Sequence, residues 1–342
     1  MTFLQRPVPL TTRPLVTVVV PCYNYGHFLE ECVASVLTQS QVSVEVLIVD
    51  DASPDGSGEV ARAIADRHAE VDVVVHETNM GHIATYNDGL ARATGTYVLI
   101  LSADDLLTPG ALHRACAVLE TRPTVGLVYG FAPSFRTTPP AASARRVRWC
   151  VWSGRTWLAV FTRRCINPVS TPSAVVRRTA LAAVGGYDPR LPHAADLLLW
   201  LRLGAAWDVA YIAGASQAYY RKHATNMHVV EFGGVLADLG ERKRTFDIFF
   251  SEGGDALPSA DRLRRRTMRA LHREACSALV SAQRAGERAT TVEGLADLCR
   301  RLAEAAGLES PGANHRRRRR AIETSLVTRT NRLVLRRIGV YL

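Results

Sequence analysis

The stretch VTVVVPCYN, residues 16–24, is a run of β-branched residues followed by a polar turn. A continuous run of this kind predicts a strand that is buried on both faces, as the strands of parallel sheets are. Two further runs are similar, VEVLIV at residues 44–49 and YVLIL at residues 97–101. Each run leads directly into polar residues. The pattern therefore predicts a parallel sheet whose strands end in polar side chains.

Segments with helical spacing of apolar residues separate these strands, and residues 71–76 (VDVVVH) add a fourth strand. The helical segments lie at residues 28–37, 60–67, 83–93 and from Pro109 to about Glu120. Four strands that alternate with four helices predict an α/β fold, because parallel strands are joined by right-handed helical crossovers. We therefore predict a mostly parallel, Rossmann-like sheet with flanking helices.

The pattern changes after residue 122. Residues 131–170 have no clear periodicity and include Pro139 and Pro140, so we expect a loop-rich region with short strands. Signals for a strand, a helix and a strand return at residues 174–178, 196–203 and 209–211. Beyond Asn226 the spacing is almost wholly helical. We therefore divide the chain at 1–122, 123–230 and 231–342, the last part being a basic helical C-terminal extension.

Charge is distributed unevenly along the 342 residues, which have a formal net charge of +10. Residues 1–122 contain 7 arginines, no lysine and 15 acidic residues, a net charge of −8, so residues 123–342 carry +18. Contacts with nucleic-acid phosphates need positive charge. The acidic first part therefore argues against nucleic-acid binding, and we expect no nucleic-acid partner.

Cysteine content and hydropathy indicate the compartment. The seven cysteines are an odd number without paired metal-type spacing, which predicts reduced thiols in a cytoplasmic protein. No apolar run is long enough to span a bilayer, and residues 1–14 lack the apolar core of a secretory signal. We therefore expect a cytoplasmic protein.

Polar clusters follow three of the predicted strands, at residues 21–24 (PCYN), 50–51 (DD) and 104–105 (DD). The carboxyl ends of parallel strands meet at one sheet edge, where ligands bind. Aspartates at a strand end often cap the next helix or face water. Two Asp-Asp pairs at one edge repel each other, however, and carboxylate oxygens suit Mg²⁺ or Mn²⁺.

The sequence also lacks two common phosphate-binding motifs, G-x-G-x-x-G after the first strand and the P-loop motif. A metal-bridged nucleotide is therefore the better fit.

These motifs together resemble the family-two glycosyltransferases, which have the GT-A nucleotide-sugar-binding fold. The residues that carry the resemblance are 16–24 (VTVVVPCYN), 46–53 (VLIVDDAS), 79–81 (NMG), 87–90 (NDGL), 93–95 (ATG), 101–105 (LSADD), 185–188 (GGYD), 196–202 (DLLLWLR) and 220–226 (YRKHATN). The resemblance implies that residues 1–122 form the nucleotide-sugar-binding half of a GT-A domain. Residues 123–230 form its acceptor-binding and catalytic half.

The resemblance also implies roles for individual residues. Asp51 accepts a hydrogen bond from the nucleotide base, and Asp50 supports its loop. The metal is Mn²⁺ or Mg²⁺, held by Asp104, Asp105 and His223. Many relatives have aspartate where this chain has Ser102. The residues expected to bind the nucleotide are Pro21, Tyr23, Asn24, Asp50, Asp51, Asn79, Gly81, His82, Asn87 and Asp104.

Asp196 matches the acidic residue that serves as the general base in this family. The common form has Glu-Asp at this place, whereas here Ala195 precedes Asp196. One alternative is that Asp196 is a helix N-cap, and another is that His223, beside Arg221 and Lys222, is a surface residue.

The resemblance therefore implies a metal-dependent inverting transfer of a sugar from a UDP-, GDP- or dTDP-sugar to an acceptor hydroxyl or amine. The acceptor is a glycan, a lipid-linked molecule or a small molecule. Two alternatives stay open: a catalytically inactive homologue that acts as a binding or assembly subunit, and, with less support, a nucleotidyltransferase. Residues 316–342 contain nine arginines and one glutamate. This segment suggests peripheral contact with the inner face of the membrane, or else a solvated basic face.

Overall fold

A computed structural model gives the structure of the protein and describes residues 4–226, 234–252, 257 and 259–308. The chain divides into two compact units. Unit 1 consists of Met1–Leu158 and Val169–Asn226, and unit 2 consists of Ala159–Pro168 and Met227–Leu342.

Unit 1 is built on a nine-stranded sheet and a small three-stranded sheet. Its strands are β1 (Leu4–Gln5), β2 (Leu15–Cys22), β3 (Ser43–Asp50), β4 (Val71–Val75), β5 (Tyr97–Ile100), β6 (Leu106–Leu107), β7 (Val125–Phe131), β8 (Ser134–Phe135), β9 (Ala144–Trp152), β10 (Val175–Arg177), β11 (Asp208–Ser216) and β12 (Ala218–Arg221). The large sheet has the order β1-β9-β11-β7-β10-β5-β2-β3-β4, and the small sheet has the order β6-β12-β8.

Helices connect these strands. They are α1 (Gly26–Leu37), α2 (Ser57–Ala65), α3 (His82–Arg92), α4 (Ala111–Thr121), α5 (Gly154–Phe161), α6 (Arg178–Val184) and α7 (Ala195–Ala206), with one 3-10 turn at Thr171–Ser173. Helix α5 crosses the boundary between the two units.

The four predicted strands form a parallel group at one end of the large sheet, in the order β5-β2-β3-β4. Strand β2 pairs in parallel with β3 on one side and with β5 on the other, and β3 pairs in parallel with β4. Their central side chains, such as Val18, Ile48 and Leu99, are buried. The predicted α/β fold is therefore confirmed. The strand order reverses between β2 and β5, and open α/β sheets bind ligands at such a reversal.

The second half of the sheet contains β10 and β11, which the sequence predicted at residues 174–178 and 209–211, and β9, which it did not predict. Strand β10 lies between β5 and β7 and runs antiparallel to both. Strand β9 is nine residues long and falls in the region expected to be loop-rich. Only Trp149 and Cys150 of β9 are buried, while its first residues, including Arg145 and Arg146, are exposed. A strand with so short an apolar face has no alternation for the sequence pattern to detect.

The small sheet places β12, near the end of unit 1, beside the strand reversal. Strand β12 pairs antiparallel with β6, with Tyr219 opposite Leu106, and in parallel with β8, with Arg221 opposite Phe135. Strand β6 follows Asp104 and Asp105 directly. Residues after β12 therefore start beside the second aspartate pair, although more than a hundred residues separate them in sequence.

Unit 2 contains three long helices in its described part, α8 (Val235–Glu252), α9 (Ala260–Ala285) and α10 (Ala289–Ala305). Arg242 on α8 is buried and pairs with Glu274 on α9 at 2.7 Å. Leu271, Leu295 and Leu302 contribute to the apolar core of the unit. Within the described residues, no helix is both long enough and apolar enough to cross a membrane. The basic segment 316–342 lies outside the described residues.

The packing of α3 on the sheet generates a prediction. A Cβ atom at Gly89 would lie 2.3 Å from Val19 Cγ1. We expect Gly89→Ala to lower the free energy of unfolding by about 2 kcal/mol, because overpacking outweighs the gain in helix propensity. Urea unfolding followed by circular dichroism measures the change.

Gly240→Ala on α8 is the matched control, since a Cβ atom there meets nothing within 4 Å. This change should stabilise unit 2 by up to about 1 kcal/mol. Equal effects of the two substitutions would contradict the packing described for α3.

Candidate active site

Two consecutive aspartates lie at the strand reversal, between β5 and β6. Asp104 and Asp105 are 5% and 1% exposed. Two buried carboxylates cost free energy unless hydrogen bonds or opposite charges compensate them. The compensation comes from β12: the backbone N–H of Arg221 donates to Asp105 Oδ1 at 2.9 Å, and Arg221 Nε donates to the carbonyl of Asp104 at 2.8 Å.

The guanidinium of Arg221 is itself buried. It lies between the rings of Phe28 and Phe135, 4.7 and 4.5 Å from their centroids. It also donates a hydrogen bond to Glu31 Oε2 on α1. Cation–π contacts and an ion pair together stabilise a cation away from water. Arg221 therefore joins α1, β8 and β12 to the aspartate pair.

The electrostatics of the pair favour a cation. Burial and the neighbouring charge of Asp104 raise the pKa of Asp105 well above its ordinary value, and Arg221 opposes this effect. Two carboxylates in one buried place resist ionising together. A proton or an additional positive charge therefore stabilises the pair.

His223 and Asn226, which follow β12, lie against Asp104. His223 Nε2 is 3.0 Å from Asp104 Oδ2, and Asn226 Nδ2 donates to the same oxygen at 3.1 Å. The backbone N–H of His223 donates to Asn226 Oδ1 at 2.6 Å. Tyr25 fixes this loop from α1, because its hydroxyl donates to the carbonyl of Thr225 at 2.9 Å. Asp104 and His223, both expected in the site, thus meet, and the sequence analysis missed Asn226 and Tyr25.

Asp51, at the end of β3, organises the loop that precedes α3. Its Oδ1 accepts the backbone N–H of Met80 at 2.8 Å and its Oδ2 accepts that of Gly81 at 2.9 Å. His76 Nδ1 lies 2.8 Å from Asp51 Oδ1, and His76 Nε2 lies 3.3 Å from Asp88 Oδ2. Both oxygens of Asp51, expected to face a nucleotide base, therefore already bind protein N–H groups.

The pKa values of this cluster are shifted in opposite directions. Burial acts to raise the pKa of Asp51, but hydrogen bonds from His76, Met80 and Gly81 outweigh it and lower that pKa. Burial acts to lower the pKa of His76, but Asp51 and Asp88 outweigh it and raise that pKa. The cluster is therefore most stable with both carboxylates ionised and the imidazole protonated.

Asp50 accepts hydrogen bonds within the neighbouring loop. The Ser53 hydroxyl donates to Asp50 Oδ1 at 2.6 Å and accepts the backbone N–H of Asn24 at 3.0 Å. Asn24 and Ala52 have φ angles of 60° and 57°, a region in which asparagine is common and alanine is rare. Asn24 Oδ1 is buried, and no described group forms a hydrogen bond with it.

The other residues expected to bind nucleotide line the same edge. Pro21 is buried at the end of β2, whereas Tyr23 is 45% exposed. Asn79 Oδ1 accepts the backbone N–H of Gly81 at 3.0 Å, and His82 Nε2 lies 2.7 Å from the carbonyl of Pro192. Met80, which the sequence did not single out, is the most exposed large apolar side chain of this group at 58%.

Asn87 has a structural partner on α3. Its side-chain amide donates to the carbonyl of Tyr187 and accepts the backbone N–H of Tyr187, both at 2.8 Å. A Cβ atom at Gly186 would lie 2.3 Å from Asn87 Oδ1. The glycine therefore permits this double hydrogen bond, which links the 185–188 motif to α3.

Asp196 lies in the first turn of α7, whose N-cap is Ala194. Asp196 is therefore not the N-cap, and one alternative from the sequence does not hold. Its Oδ2 accepts a hydrogen bond from the Thr171 hydroxyl at 3.4 Å. Burial raises the pKa of Tyr86, and so do the charges of Asp104 and Asp196.

Sequence reasoning missed Tyr86 and Arg221. The ring of Tyr86 packs edge-on against Tyr187 and His82, with centroid distances of 5.2 and 5.6 Å. Tyr86 directly precedes Asn87, and Arg221 lies in the 220–226 motif. Both residues were therefore within quoted motifs, but only the tertiary contacts reveal what they touch.

The donor groups at the second aspartate pair fit a hard divalent cation. Asp104 offers a carboxylate and His223 offers an imidazole, and both suit Mn²⁺. Among the residues that the structure describes, no three His, Cys, Asp or Glu side chains converge as metal ligands. Asp104 and His223 are thus the described residues at this place that could hold such a cation.

The comparisons with known proteins agree with this geometry. Residues 17–182 match the family model described as Glycosyl transferase family 2. This segment contains both aspartate pairs, the loop that Asp51 organises, and α3. Residues 17–182 belong to glycosyltransferase family 2. The predicted family is thereby confirmed.

One family relative is EpsJ of Bacillus subtilis (strain 168), described as an uncharacterized glycosyltransferase. It is 36% identical over 138 residues, which are 39% of this chain and 40% of that protein. This chain therefore spans less than half of the length of that relative.

Solved structures of low identity share the fold. The crystal structure of S. aureus TarS 1-349 in complex with UDP-GlcNAc has a TM-score of 0.63 at 15% identity, covering 85% of this chain and 81% of that one. The mannosyltransferase PcManGT from Pyrobaculum calidifontis, in complex with GDP-Man and Mn²⁺, has a TM-score of 0.53 at 22% identity, covering 88% and 83%. The expected GT-A fold is confirmed.

The cluster of Asp51, His76 and Asp88 generates a pH prediction. The raised pKa of His76 means that its contribution to stability is complete below about pH 6.5 and is lost as pH rises through its folded-state pKa. Burial acts to raise the pKa of Asp88, but hydrogen bonds from Arg92 and His76 outweigh it and lower that pKa. The lowered pKa values of Asp51 and Asp88 mean that their contribution is present above about pH 4 and is lost as pH falls through their folded-state pKa values.

We therefore expect the free energy of unfolding of the wild type to be higher than that of His76→Gln. The difference should be largest between about pH 4 and pH 6.5. Urea unfolding at a series of pH values measures this difference. Asp88→Asn should reduce the pH-dependent part of this difference in unfolding free energy, because His76 then keeps only one carboxylate partner. A difference that stays constant from pH 4 to pH 9 would contradict the assigned cluster.

Proposed function

We propose that this protein is a metal-dependent inverting glycosyltransferase that moves a sugar from a nucleoside-diphosphate donor to an acceptor hydroxyl or amine. One observation carries the proposal. Asp104, which lies within the family-two segment 17–182, is buried next to Asp105 at the strand reversal, and its Oδ2 is 3.0 Å from His223 Nε2. Buried carboxylates with an imidazole beside them suit a divalent cation that holds a departing diphosphate.

The donor's nucleoside occupies the edge formed by β2, β3 and the loop before α3. The exposed side chains of Tyr23 and Met80 supply apolar surface for a base. Asn24 Oδ1, buried without a partner among the described groups, supplies an acceptor for a ribose hydroxyl. TarS with UDP-GlcNAc and PcManGT with GDP-Man support a nucleotide-sugar donor.

Asp104 and His223 hold the metal, and Asp105 keeps β12 in position through the backbone of Arg221. When bound, Mn²⁺ or Mg²⁺ supplies Lewis-acid stabilisation of the departing diphosphate. The Mn²⁺ in the PcManGT complex supports this assignment. Arg221 holds the aspartate pair in place, because its guanidinium binds the Asp104 carbonyl.

Asp196 takes the proton from the acceptor nucleophile as it attacks the anomeric carbon. Attack from the side opposite the diphosphate inverts the configuration at that carbon. The Thr171 hydroxyl orients the Asp196 carboxylate. Burial raises the pKa of the Tyr86 phenol, so it stays protonated and donates a hydrogen bond to donor oxygens near the reacting carbon.

The acceptor is anionic or carries an anionic group, as a lipid-linked phosphate or an acidic glycan does. Residues 123–342 carry a net charge of +18, and the exposed arginines at the start of β9 belong to this part of unit 1. Positive surface of this kind attracts anionic molecules and speeds their association.

Donor binding provides the first test. We expect one of the UDP-, GDP- or dTDP-sugars to raise the melting temperature by about 5 °C or more when Mn²⁺ is present, because ligands that bind only the folded state stabilise it. Asp104→Asn should lose the Mn²⁺-dependent part of this shift. Thermal denaturation with and without chelator measures it.

Asp208→Asn is the matched control for this test. Asp208 is a half-buried aspartate at the start of β11, where it accepts a hydrogen bond from the Thr124 hydroxyl at 2.7 Å. This variant should keep the full shift. Failure of every donor to stabilise the wild-type chain would instead favour the inactive-homologue interpretation.

Turnover tests the assignment of the base. With the donor identified by thermal shift, Asp196→Asn should keep the melting-temperature shift but release nucleoside diphosphate about 10²–10⁴ times more slowly than wild type. The reason is that a neutral amide accepts no proton from the nucleophile. Asp208→Asn should turn over at the wild-type rate. Unchanged turnover by Asp196→Asn would remove Asp196 from the mechanism.

A further inference from the structure

Two cysteines of unit 2 lie at the same level of a helical hairpin. Helices α9 and α10 are joined by a short turn around Glu287. Cys276 is 11 residues before Glu287, and Cys299 is 12 residues after it. At about 1.5 Å per residue, two antiparallel helices place such positions within about 1.5 Å of each other along the axis. The hairpin therefore sets the two cysteines opposite one another.

The two cysteines also face the same packed hairpin. Cys299 is 9% exposed on the face of α10 that carries Leu295, Leu298 and Leu302. Cys276 is close enough for its thiol to act on the pKa of the Cys299 thiol. Neither sulfur is in a disulfide bond. The hairpin thus contains two neighbouring reduced thiols.

A histidine lies beside the more accessible thiol. His272 is one helical turn before Cys276 on α9, and its Nε2 is 3.5 Å from Cys276 Sγ. All seven cysteines are in the described part of the chain, and Cys276 is the one among them that is not fully buried. The thiolate is the reactive form of cysteine, and a neighbouring imidazole promotes it. Cys276 is therefore the thiol that a small oxidant reaches first.

We propose that Cys276 and Cys299 form a redox-active dithiol site that peroxide converts to a disulfide between α9 and α10, with His272 as the proton acceptor and donor. Nothing in the proposed glycosyl transfer uses these residues. The partial exposure of Cys276 and its position beside His272 and opposite Cys299 are features that a structural pair of buried cysteines does not need.

The reaction takes place in two steps. His272 accepts the Cys276 thiol proton, and the thiolate attacks hydrogen peroxide, whose O–O bond breaks. The departing hydroxide takes the proton from His272 and leaves as water, and Cys276 becomes a sulfenic acid. The Cys299 thiol then attacks the Cys276 sulfur, which forms the disulfide and releases a second water. Peroxide is thus reduced by two electrons, and the two thiols are oxidised.

The difference between the two thiols supports this order. Burial, together with the neighbouring Cys276 thiol, raises the pKa of Cys299 to about 12. Cys299 therefore keeps its proton while Cys276 reacts with the oxidant, and it reacts afterwards with the sulfenic acid. Cys299 is the resolving thiol.

Peptide mapping of the full chain tests the proposal. After hydrogen peroxide treatment under native conditions, titration of the unfolded chain should find two thiols fewer than the seven of the untreated chain. Trypsin should then release a cross-linked pair made of residues 274–284 (EACSALVSAQR) and 289–300 (ATTVEGLADLCR). Dithiothreitol should separate the two peptides. Retention of all seven thiols, or cross-links between other peptides, would overturn the proposal.

Variants test the roles of the residues. Cys299→Ser should stop at a sulfenic acid on Cys276 that dimedone traps. His272→Asn should slow thiol loss by about tenfold or more while the same peptides become linked. An unchanged rate in His272→Asn would remove His272 from the reaction.

Cys165→Ala is the matched control in the same unit. Cys165 is buried, and its thiol donates to the carbonyls of Thr162 and Thr267, each at 3.1 Å. Peroxide should link the 274–284 and 289–300 peptides of this variant at the wild-type rate. Loss of the link in Cys165→Ala would contradict the assigned pair.

Discussion

The hydrogen bonds, the ion pair with Glu31 and the ring contacts of Arg221 are the interactions on which the candidate active site depends. Two adjacent aspartates are buried at the strand reversal, and burial of both charges without compensation would cost several kcal/mol per ion (order of magnitude). Arg221 supplies that compensation through its backbone N–H and its guanidinium. Phe28 and Phe135 enclose the guanidinium, and Glu31 pairs with it. Because Arg221 ends β12, the same contacts bring His223 and Asn226 to Asp104.

The nucleotide side of the site follows a different principle, since its polar residues mostly bind the protein itself. Asp51 uses both carboxylate oxygens to hold the loop before α3, and Asn87 uses both ends of its amide to hold Tyr187. These residues shape the edge where a nucleoside is expected. The groups left for direct contact are the exposed Tyr23 and Met80 and the buried oxygen of Asn24.

Sequence patterns predicted the parallel half of the sheet well and the other half poorly. The runs at β2, β3 and β5 are buried on both faces, so their apolar residues are continuous and easily found. Strand β9 begins with exposed arginines and has no periodic signal. Strand β10 was predicted at residues 174–178, but its position in the sheet was not. The antiparallel insertion of β10 between β5 and β7 depends on contacts distant in sequence. Local propensity does not encode such contacts.

The sequence by itself determined the fold class, the family and the strand ends that form the candidate site, because buried strands and the polar residues after them are local patterns. It also pointed to Asp104, Asp196 and His223 through motif resemblance. Only the tertiary structure decided what these residues touch. The contacts of Arg221 with Asp105, and of Asn87 with Tyr187, span 116 and 100 residues. The pairing of Cys276 with Cys299 likewise depends on helix packing, and no spacing rule in one chain predicts which distant side chains such packing brings together.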